Sequence, residues 1–206
     1  MVFVAQTQAD SESSYGVVAI GASAGGLEAL RGIFEHLPAA FGIPIVLVHH
    51  LPNCGVSNLT LVLGRWTNLT VKWAEHGEAL CGGKVYVAPI NHHVTVTDEQ
   101  KLDLCCLSDR VNNFRPAVDP LFYSVARVFR ERAISIVLSG MLADGSRGTA
   151  EVRRWGGVAM AQSKATSRFF DMPCAAMDYG GCELRFSPLK IAEALGALGD
   201  RPFVLQ

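Results

Sequence analysis

The chain has 206 residues, of which 50% are hydrophobic and 18% charged, and its formal net charge at pH 7 is −1. This length suits one well-buried domain and is short for two. The balanced charge argues against a nucleic-acid-binding protein, which would carry a basic surface. No apolar run is long enough to span a membrane, and the N-terminus lacks the pattern of a signal peptide. We therefore expect a soluble, cytoplasmic protein whose oligomeric state the sequence leaves open.

The cysteines and histidines do not form metal-binding patterns. None of the cysteines lies in a C-x-x-C motif, which favours reduced core thiols over disulfides. They are Cys54, Cys81, Cys105, Cys106, Cys174 and Cys182. The histidines at 49–50 and 92–93 are sequence neighbours, and neighbours on a strand point to opposite faces. We expect neither a metal nor a cofactor.

Residues 1–14 are polar and predict a loose tail, and residues 15–206 predict one domain. Within it, short apolar runs alternate with helical patterns. Strands are predicted at 17–20, 43–48, 69–73, 84–88, 134–138 and 158–162, with helices at 27–37, 56–66, 120–132, 146–155, 172–179 and 187–198. Residues 93–97 and 101–105 predict a β-hairpin. This alternation predicts an α/β fold: one doubly wound, mostly parallel sheet with helices on both faces and an appended antiparallel hairpin.

The first strand runs directly into a turn of small residues, GASAGG, at 21–26. Ser23 lies at this turn, and a helical pattern begins immediately afterwards. Small neighbours allow a sharp turn and give a reacting molecule access to the serine hydroxyl, as in strand-to-helix turns that present a nucleophilic serine. The free N–H groups at the start of the helix can stabilise an anion. A nucleotide-binding α/β protein can also begin with such a turn.

Further polar side chains follow two other predicted parallel strands. His49 and His50 end the second strand, and Asp144 lies in the glycine-bracketed loop 139–148 after the strand at 134–138. The carboxyl ends of parallel strands lie at one edge of a sheet, where ligands bind. A serine, a histidine and an aspartate at this edge are the groups of a hydrolytic triad. Spacing alone leaves His49 and His50 both open as the base.

Each of these residues also has a structural interpretation. A histidine at a strand end can be satisfied by a backbone carbonyl, and Asp144 before Gly145 can serve as a turn residue or helix cap. Asp119, followed by Pro120, is predicted to be an N-cap. The order serine, histidine, aspartate differs from that of α/β-hydrolases. The glycine pattern of a Rossmann dinucleotide site and the G-K-[ST] of a P-loop are both missing, which disfavours nucleotide binding.

Four segments resemble the catalytic domain of the chemotaxis receptor protein-glutamate methylesterases. In chain order they are AIGASAGG, VHHLP, FRPAVDPLFYSVA and LSGMLADGSRG. The resemblance extends from about residue 17 to 198. It implies Ser23 as nucleophile, His50 as general base and acid, Asp144 as orienting carboxylate and the backbone N–H of Met141 as an oxyanion donor. It also implies hydrolysis of glutamate γ-methyl esters on the cytoplasmic helices of chemoreceptors, with glutamine deamidation as a second activity to be tested.

Two departures from the family pattern affect what can be expected. Ala24 stands where the family frequently has threonine, so a substrate contact through that hydroxyl is not expected. Many members of the resembled family carry a receiver domain ahead of the catalytic one, and we expect none in residues 1–14. The chain is then expected to be either an excised catalytic domain or a free-standing relative, and the sequence does not predict how its activity is regulated. Three cations lie in predicted loops: Arg115, Lys164 and Arg168. They could be solvated loop charges or could contact an acidic receptor surface.

The alternative function is a catalytically silent module that holds an anion or a receptor helix.

Overall fold

The computed structural model describes residues 15–51, 55–106 and 109–199. Strands and helices alternate through most of this part of the chain, except that four strands, β3 to β6, follow one another. They are β1 (Val17–Ala22), α1 (Gly26–Phe34), β2 (Ile45–His49), α2 (Leu59–Gly64), β3 (Thr70–Trp73), β4 (Lys84–Val87), β5 (His93–Val96), β6 (Leu102–Cys105), α3 (Val118–Phe129), β7 (Ala133–Val137), α4 (Ser146–Arg154), β8 (Val158–Gln162), α5 (Asp171–Asp178), β9 (Leu184–Phe186) and α6 (Pro188–Gly199).

Within the described residues, seven strands form one sheet in the order β3-β4-β2-β1-β7-β8-β9, and every neighbouring pair is parallel. Strands β2, β4 and β3 lie on one side of β1 in the sheet, and β7, β8 and β9 lie on the other side. The strand order therefore reverses between β1 and β7, where open α/β sheets bind their ligands. The predicted hairpin is the separate antiparallel pair β5-β6. The expected fold class is confirmed.

The sheet separates two apolar cores, as expected for parallel strands buried on both faces. Alternate residues of β1 point into different cores: Val17 and Ala19 into one, Val18 and Ile20 into the other. Helices α3, α4 and α5 cover the first face, and α1, α2 and α6 cover the second. Because both faces of the sheet are covered by apolar side chains, polar side chains cluster at the ends of the strands.

Asp119 corrects one sequence prediction, because it does not cap its own helix. Helix α3 begins at Val118, with Ala117 as the N-cap residue. The Asp119 carboxylate is buried and accepts a hydrogen bond from the Gly148 N–H at 2.8 Å. The backbone N–H groups of Val118 and Asp119 are instead bound by Asp144, from a loop distant in sequence. Local spacing could not show this, because the capping group comes from another element.

Other predictions need smaller corrections. The helix predicted at 56–66 is confined to Leu59–Gly64, and β9 at the sheet edge was not predicted. The cysteines are not all core thiols: Cys182 is buried, whereas Cys81 and Cys106 are exposed. Cys54 and the predicted tail at 1–14 lie outside the described residues. In the part of the chain that the structure covers, no helix combines the length and apolar character needed to cross a bilayer.

Candidate active site

The serine turn, residues 22–26, links β1 to α1. Its position is fixed by backbone hydrogen bonds: the Ser23 N–H donates to the Ser139 carbonyl at 3.0 Å, and the Gly26 N–H donates to the Ser23 carbonyl at 2.9 Å. Gly25 has φ 73°, and a Cβ there would lie 2.7 Å from Ser139 Oγ and from the Cβ of Arg168. Both the left-handed backbone and the close approach require glycine at this position.

Ser139, which follows β7, attaches the serine turn to the loop before α5. Its Oγ donates to the Ala24 carbonyl at 2.8 Å and accepts from the Phe169 N–H at 3.0 Å. Its own N–H donates to Gln162 Oε1 at 2.8 Å. Because the Ser139 hydroxyl donates one hydrogen bond and accepts another, it links the serine turn to both β7 and the loop 163–170.

The loop after β7 also approaches the Ser23 side chain. A Cβ on Gly140 would lie 2.9 Å from Ser23 Cβ and would collide with Met172 Sδ. The next residue, Met141, has an exposed side chain, and no described residue accepts a hydrogen bond from its backbone N–H. Leu142 continues the loop with φ 68°. The backbone beside Ser23 is therefore close enough to the turn to contact a group bound to the serine.

His50 lies beside the serine turn because β1 and β2 are paired. Ala22 is in register with His49, and the His50 N–H donates to the Ala22 carbonyl at 3.0 Å. His50 Nε2 lies 2.8 Å from Asp144 Oδ2. A carboxylate acceptor places the hydrogen of a neutral imidazole on Nε2, which leaves a lone pair on Nδ1. Nδ1 is buried without a hydrogen-bond partner among the described residues.

Asp144 is fully buried, and its carboxylate is bound on both oxygens. Oδ2 accepts from His50 Nε2 and the Val118 N–H, and Oδ1 accepts from the Asp119 N–H and Asn112 Nδ2, at 2.7–3.2 Å. Burial by itself would raise the pKa of Asp144, but the hydrogen bonds from His50, Val118 and Asn112 hold the pKa below its usual value. The carboxylate is therefore ionised and fixed in place beside His50.

His49 occupies a different environment. Burial and the neighbouring His50 lower the pKa of His49 from 6.5 to about 4, so its ring is neutral near pH 7. Both ring nitrogens are buried, and neither makes a well-formed hydrogen bond with a described residue, although the backbone of Ser23 and His50 lies close enough to oppose part of the pKa shift. The ring packs under the start of α1, near Gly26. The structure thus brings His50, and not His49, to Asp144.

Sequence reasoning missed two residues that contact this pair, both in the loop 109–117. The Phe114 ring stacks on the His50 ring, with centroids 3.6 Å apart and planes at 7°. Asn112 donates to Asp144, as described above. Both residues lie in what reads as a polar connection, and only Phe114 falls within a segment that carries the family resemblance. Spacing contains no signal for contacts that depend on how this loop folds over the sheet edge.

The predicted loop cations differ in their surroundings. Arg115 donates to Asn91 Oδ1 at 2.9 Å and to the Cys106 carbonyl at 2.7 Å, so it holds loops together. Lys164 is exposed and lies 5.9 Å from the Phe170 ring. Arg168 is exposed beside the serine turn. It borders an open groove of about 480 Å³ that is also lined by Gly25, Leu27, Glu28, Arg31 and Trp66.

Among the described residues, no cluster of His, Cys, Asp or Glu could hold a metal ion.

Comparison with known proteins decides the family. A family model described as CheB methylesterase matches residues 18–195. The chain belongs to the CheB methylesterase family. Its fold is similar to the crystal structure of the Thermotoga maritima CheB methylesterase catalytic domain, with a TM-score of 0.85 and 36% identity. That match covers 90% of this chain and 99% of the Thermotoga domain.

Curated relatives carry the corresponding enzyme name. A Leptospira interrogans protein named "Putative protein-glutamate methylesterase/protein-glutamine glutaminase" is 34% identical over 87% of this chain and 93% of its own length. A Thermotoga maritima protein-glutamate methylesterase/protein-glutamine glutaminase is 36% identical over 87% of this chain. The chain spans about half of that relative, 53% of its length. The expected family and the enzyme class, a protein-glutamate methylesterase, are confirmed.

Proposed function

We propose that this chain hydrolyses γ-methyl esters of glutamate side chains on the cytoplasmic helices of chemoreceptors. Deamidation of receptor glutamines is the second activity, in line with the double name of the curated relatives. One observation carries the proposal: in a chain of this family, the buried His50–Asp144 pair lies directly beside the serine turn. Ser23 is the nucleophile, His50 the general base and acid, and Asp144 the carboxylate that orients His50.

In the first half-reaction, Ser23 Oγ attacks the ester carbonyl carbon while His50 Nδ1 takes the hydroxyl proton. The Asp144 carboxylate stabilises the imidazolium through its hydrogen bond with Nε2. The carbonyl oxygen becomes an oxyanion, to which the Met141 N–H donates a hydrogen bond. When the tetrahedral intermediate collapses, Nδ1 returns its proton to the methoxy oxygen. Methanol leaves, and the glutamyl group remains attached to Ser23 as an ester.

The second half-reaction uses the same groups with water as the nucleophile. His50 Nδ1 accepts a proton from the attacking water, and the hydroxyl adds to the acyl carbon. Collapse breaks the bond to Ser23 Oγ, which takes the proton back from His50 and leaves a free glutamate. With a glutamine substrate the first leaving group is ammonia, and the later steps are identical.

The nucleophile assignment is tested by Ser23→Ala. The turn is held by backbone atoms of Ser23, so the variant should fold with an unchanged melting temperature. Loss of the nucleophile should lower methanol release from methylated receptor fragments by about three or more orders of magnitude. Unchanged methanol release would show that Ser23 is not the nucleophile.

The silent binding module is distinguished by a serine-directed phosphonate. A phosphonate attached to Ser23 in the wild type, and no attachment in the alanine variant, supports the esterase. A folded wild type that neither reacts with the phosphonate nor releases methanol would favour the binding module instead.

A further inference from the structure

The loop 109–117, here called the strap, crosses the edge of the sheet between β6 and α3. His93, on β5, holds both of its ends. His93 Nε2 lies 3.0 Å from the Asp109 carbonyl, and Nδ1 accepts from the Ala117 N–H at 3.2 Å. This pairing requires the neutral ring with its hydrogen on Nε2. His93 is 2% exposed, so the strap ends are fixed from within the protein.

Asn112 connects the strap to two buried carboxylates. Its Nδ2 donates one hydrogen bond to Asp144 Oδ1 and one to Asp119 Oδ2, both at 2.8 Å. The residue has φ 53°, a left-handed conformation that asparagine adopts more readily than most residues. Asp119 is itself held by the Gly148 N–H of α4. The amide group therefore fixes the orientation of the Asp144 carboxylate relative to α3 and α4.

Phe114 connects the strap to the imidazole. Its ring lies parallel to the His50 ring at a centroid distance of 3.6 Å. The hydrogen bond with Asp144 fixes the position of Nε2, but it does not fix the plane of the imidazole ring, which could still tilt. Contact over a whole face removes this freedom, because turning the ring would drive its edge into Phe114. The stack also shields one face of the imidazole from water.

We propose that the strap is the positioning element of the catalytic pair. Phe114 sets the plane of the His50 ring, Asn112 sets the Asp144 carboxylate, and together they direct Nδ1 towards Ser23. This inference rests on the proposed function, because it assumes that His50 is the base. Phe114 also faces the charged imidazolium formed during attack, and a cation over an aromatic face is stabilised. Phe114 is thus a positioning residue, not a catalytic one.

The test compares three substitutions of Phe114 in the full chain. Phe114→Ala and Phe114→Leu remove the flat face, and Leu retains much of the volume so that the strap still packs. Both should lower kcat for methanol release by about 10- to 100-fold with little change in KM, since a small misplacement of a catalytic group has effects of this size. Phe114→Tyr keeps the face and should retain kcat within about threefold. Tyr179→Ala, at an aromatic side chain that is 78% exposed, is the matched control.

A second readout does not depend on activity. In ¹⁵N NMR spectra of the ring nitrogens, wild-type His50 should show the single tautomer with hydrogen on Nε2. Phe114→Leu should keep this tautomer, because Asp144 still accepts from Nε2. The Nε2 hydrogen should, however, exchange faster with water at an unchanged melting temperature, because the ring is no longer held flat against Phe114 and shielded by it. Wild-type kcat in Phe114→Leu, or wild-type hydrogen exchange of the His50 ring in that variant, would overturn the positioning role. If the wild type releases no methanol, the proposed function fails, and the hydrogen exchange of the ring alone decides whether Phe114 orients His50.

Discussion

At the scale of single residues, Asp144 serves two purposes. Its carboxylate binds His50, and it also binds the first N–H groups of α3, which have no partner within the helix. The positive end of the helix dipole favours the ionised carboxylate at this place. The same contacts that keep the aspartate charged therefore also stabilise the start of α3.

Asp144→Asn tests this double role. An amide places an NH₂ group where the carboxylate accepts hydrogen bonds, so at least one donor loses its acceptor. We expect kcat to fall by about 10³- to 10⁴-fold and the free energy of unfolding to fall by about 2–4 kcal/mol. Methanol release and urea unfolding measure the two effects.

Asp119→Asn is the matched control for Asp144→Asn, because Asp119 is equally buried and also bound by Asn112, yet does not contact His50. It should lose stability while kcat changes by less than about tenfold. Equal losses of activity in the two variants would contradict the specific role of Asp144.

At the scale of elements, the site depends on how closely the loops after β1 and β7 approach each other. The two strands are neighbours in the sheet, and Ser23 and Ser139 are joined through backbone atoms. Gly140 lies where a side chain would meet Ser23 and Met172. A glycine at this point allows the loop after β7 to approach Ser23, the proposed nucleophile.

Gly140→Ala should displace Ser23 from its position beside His50, because the added Cβ would lie 2.9 Å from Ser23 Cβ. We expect kcat to fall by about 100-fold, with circular dichroism showing unchanged secondary structure. Gly42→Ala is the matched control, since nothing lies within 4 Å of a Cβ there. Full activity in Gly140→Ala would show that the close approach is not needed.

At the scale of the whole molecule, two buried neutral histidines couple stability to pH. Burial lowers the pKa of His49 and that of His93. Both groups bind protons more readily in the unfolded chain than in the folded protein. Their contribution to stability is therefore complete above pH 6.5 and decreases as the pH falls towards the folded pKa values.

Unfolding by urea across pH 4–7 measures this coupling. Folding lowers the pKa of His49 from 6.5 to about 4. The free energy of unfolding should therefore fall by about 3 kcal/mol as the pH is lowered through this interval. His49→Gln removes the titrating group and should make the free energy of unfolding less dependent on pH between 6.5 and 4. Identical pH dependence in the two proteins would contradict the assignment.

Much of the architecture could be predicted from the chain alone. Strands such as β7 are runs of buried apolar residues, and the helices carry apolar stripes, so the parallel α/β sheet follows from periodicity. The placement of Ser23, His50 and Asp144 after β1, β2 and β7 follows from the rule that parallel strands end at one edge. β9 escaped prediction because it has only three residues, too few for a periodic signal.

The sequence by itself determined the sheet, its functional edge and the types of side chain delivered there, because these depend on local patterns. Only the tertiary structure decided that His50 pairs with Asp144, that Asp144 caps α3, and that Phe114 and Asn112 hold the pair. His50 and Asp144 are 94 residues apart, and each of these contacts joins separate elements. Such contacts arise from the packing of finished strands and loops, for which neighbouring residues along the chain give no pattern.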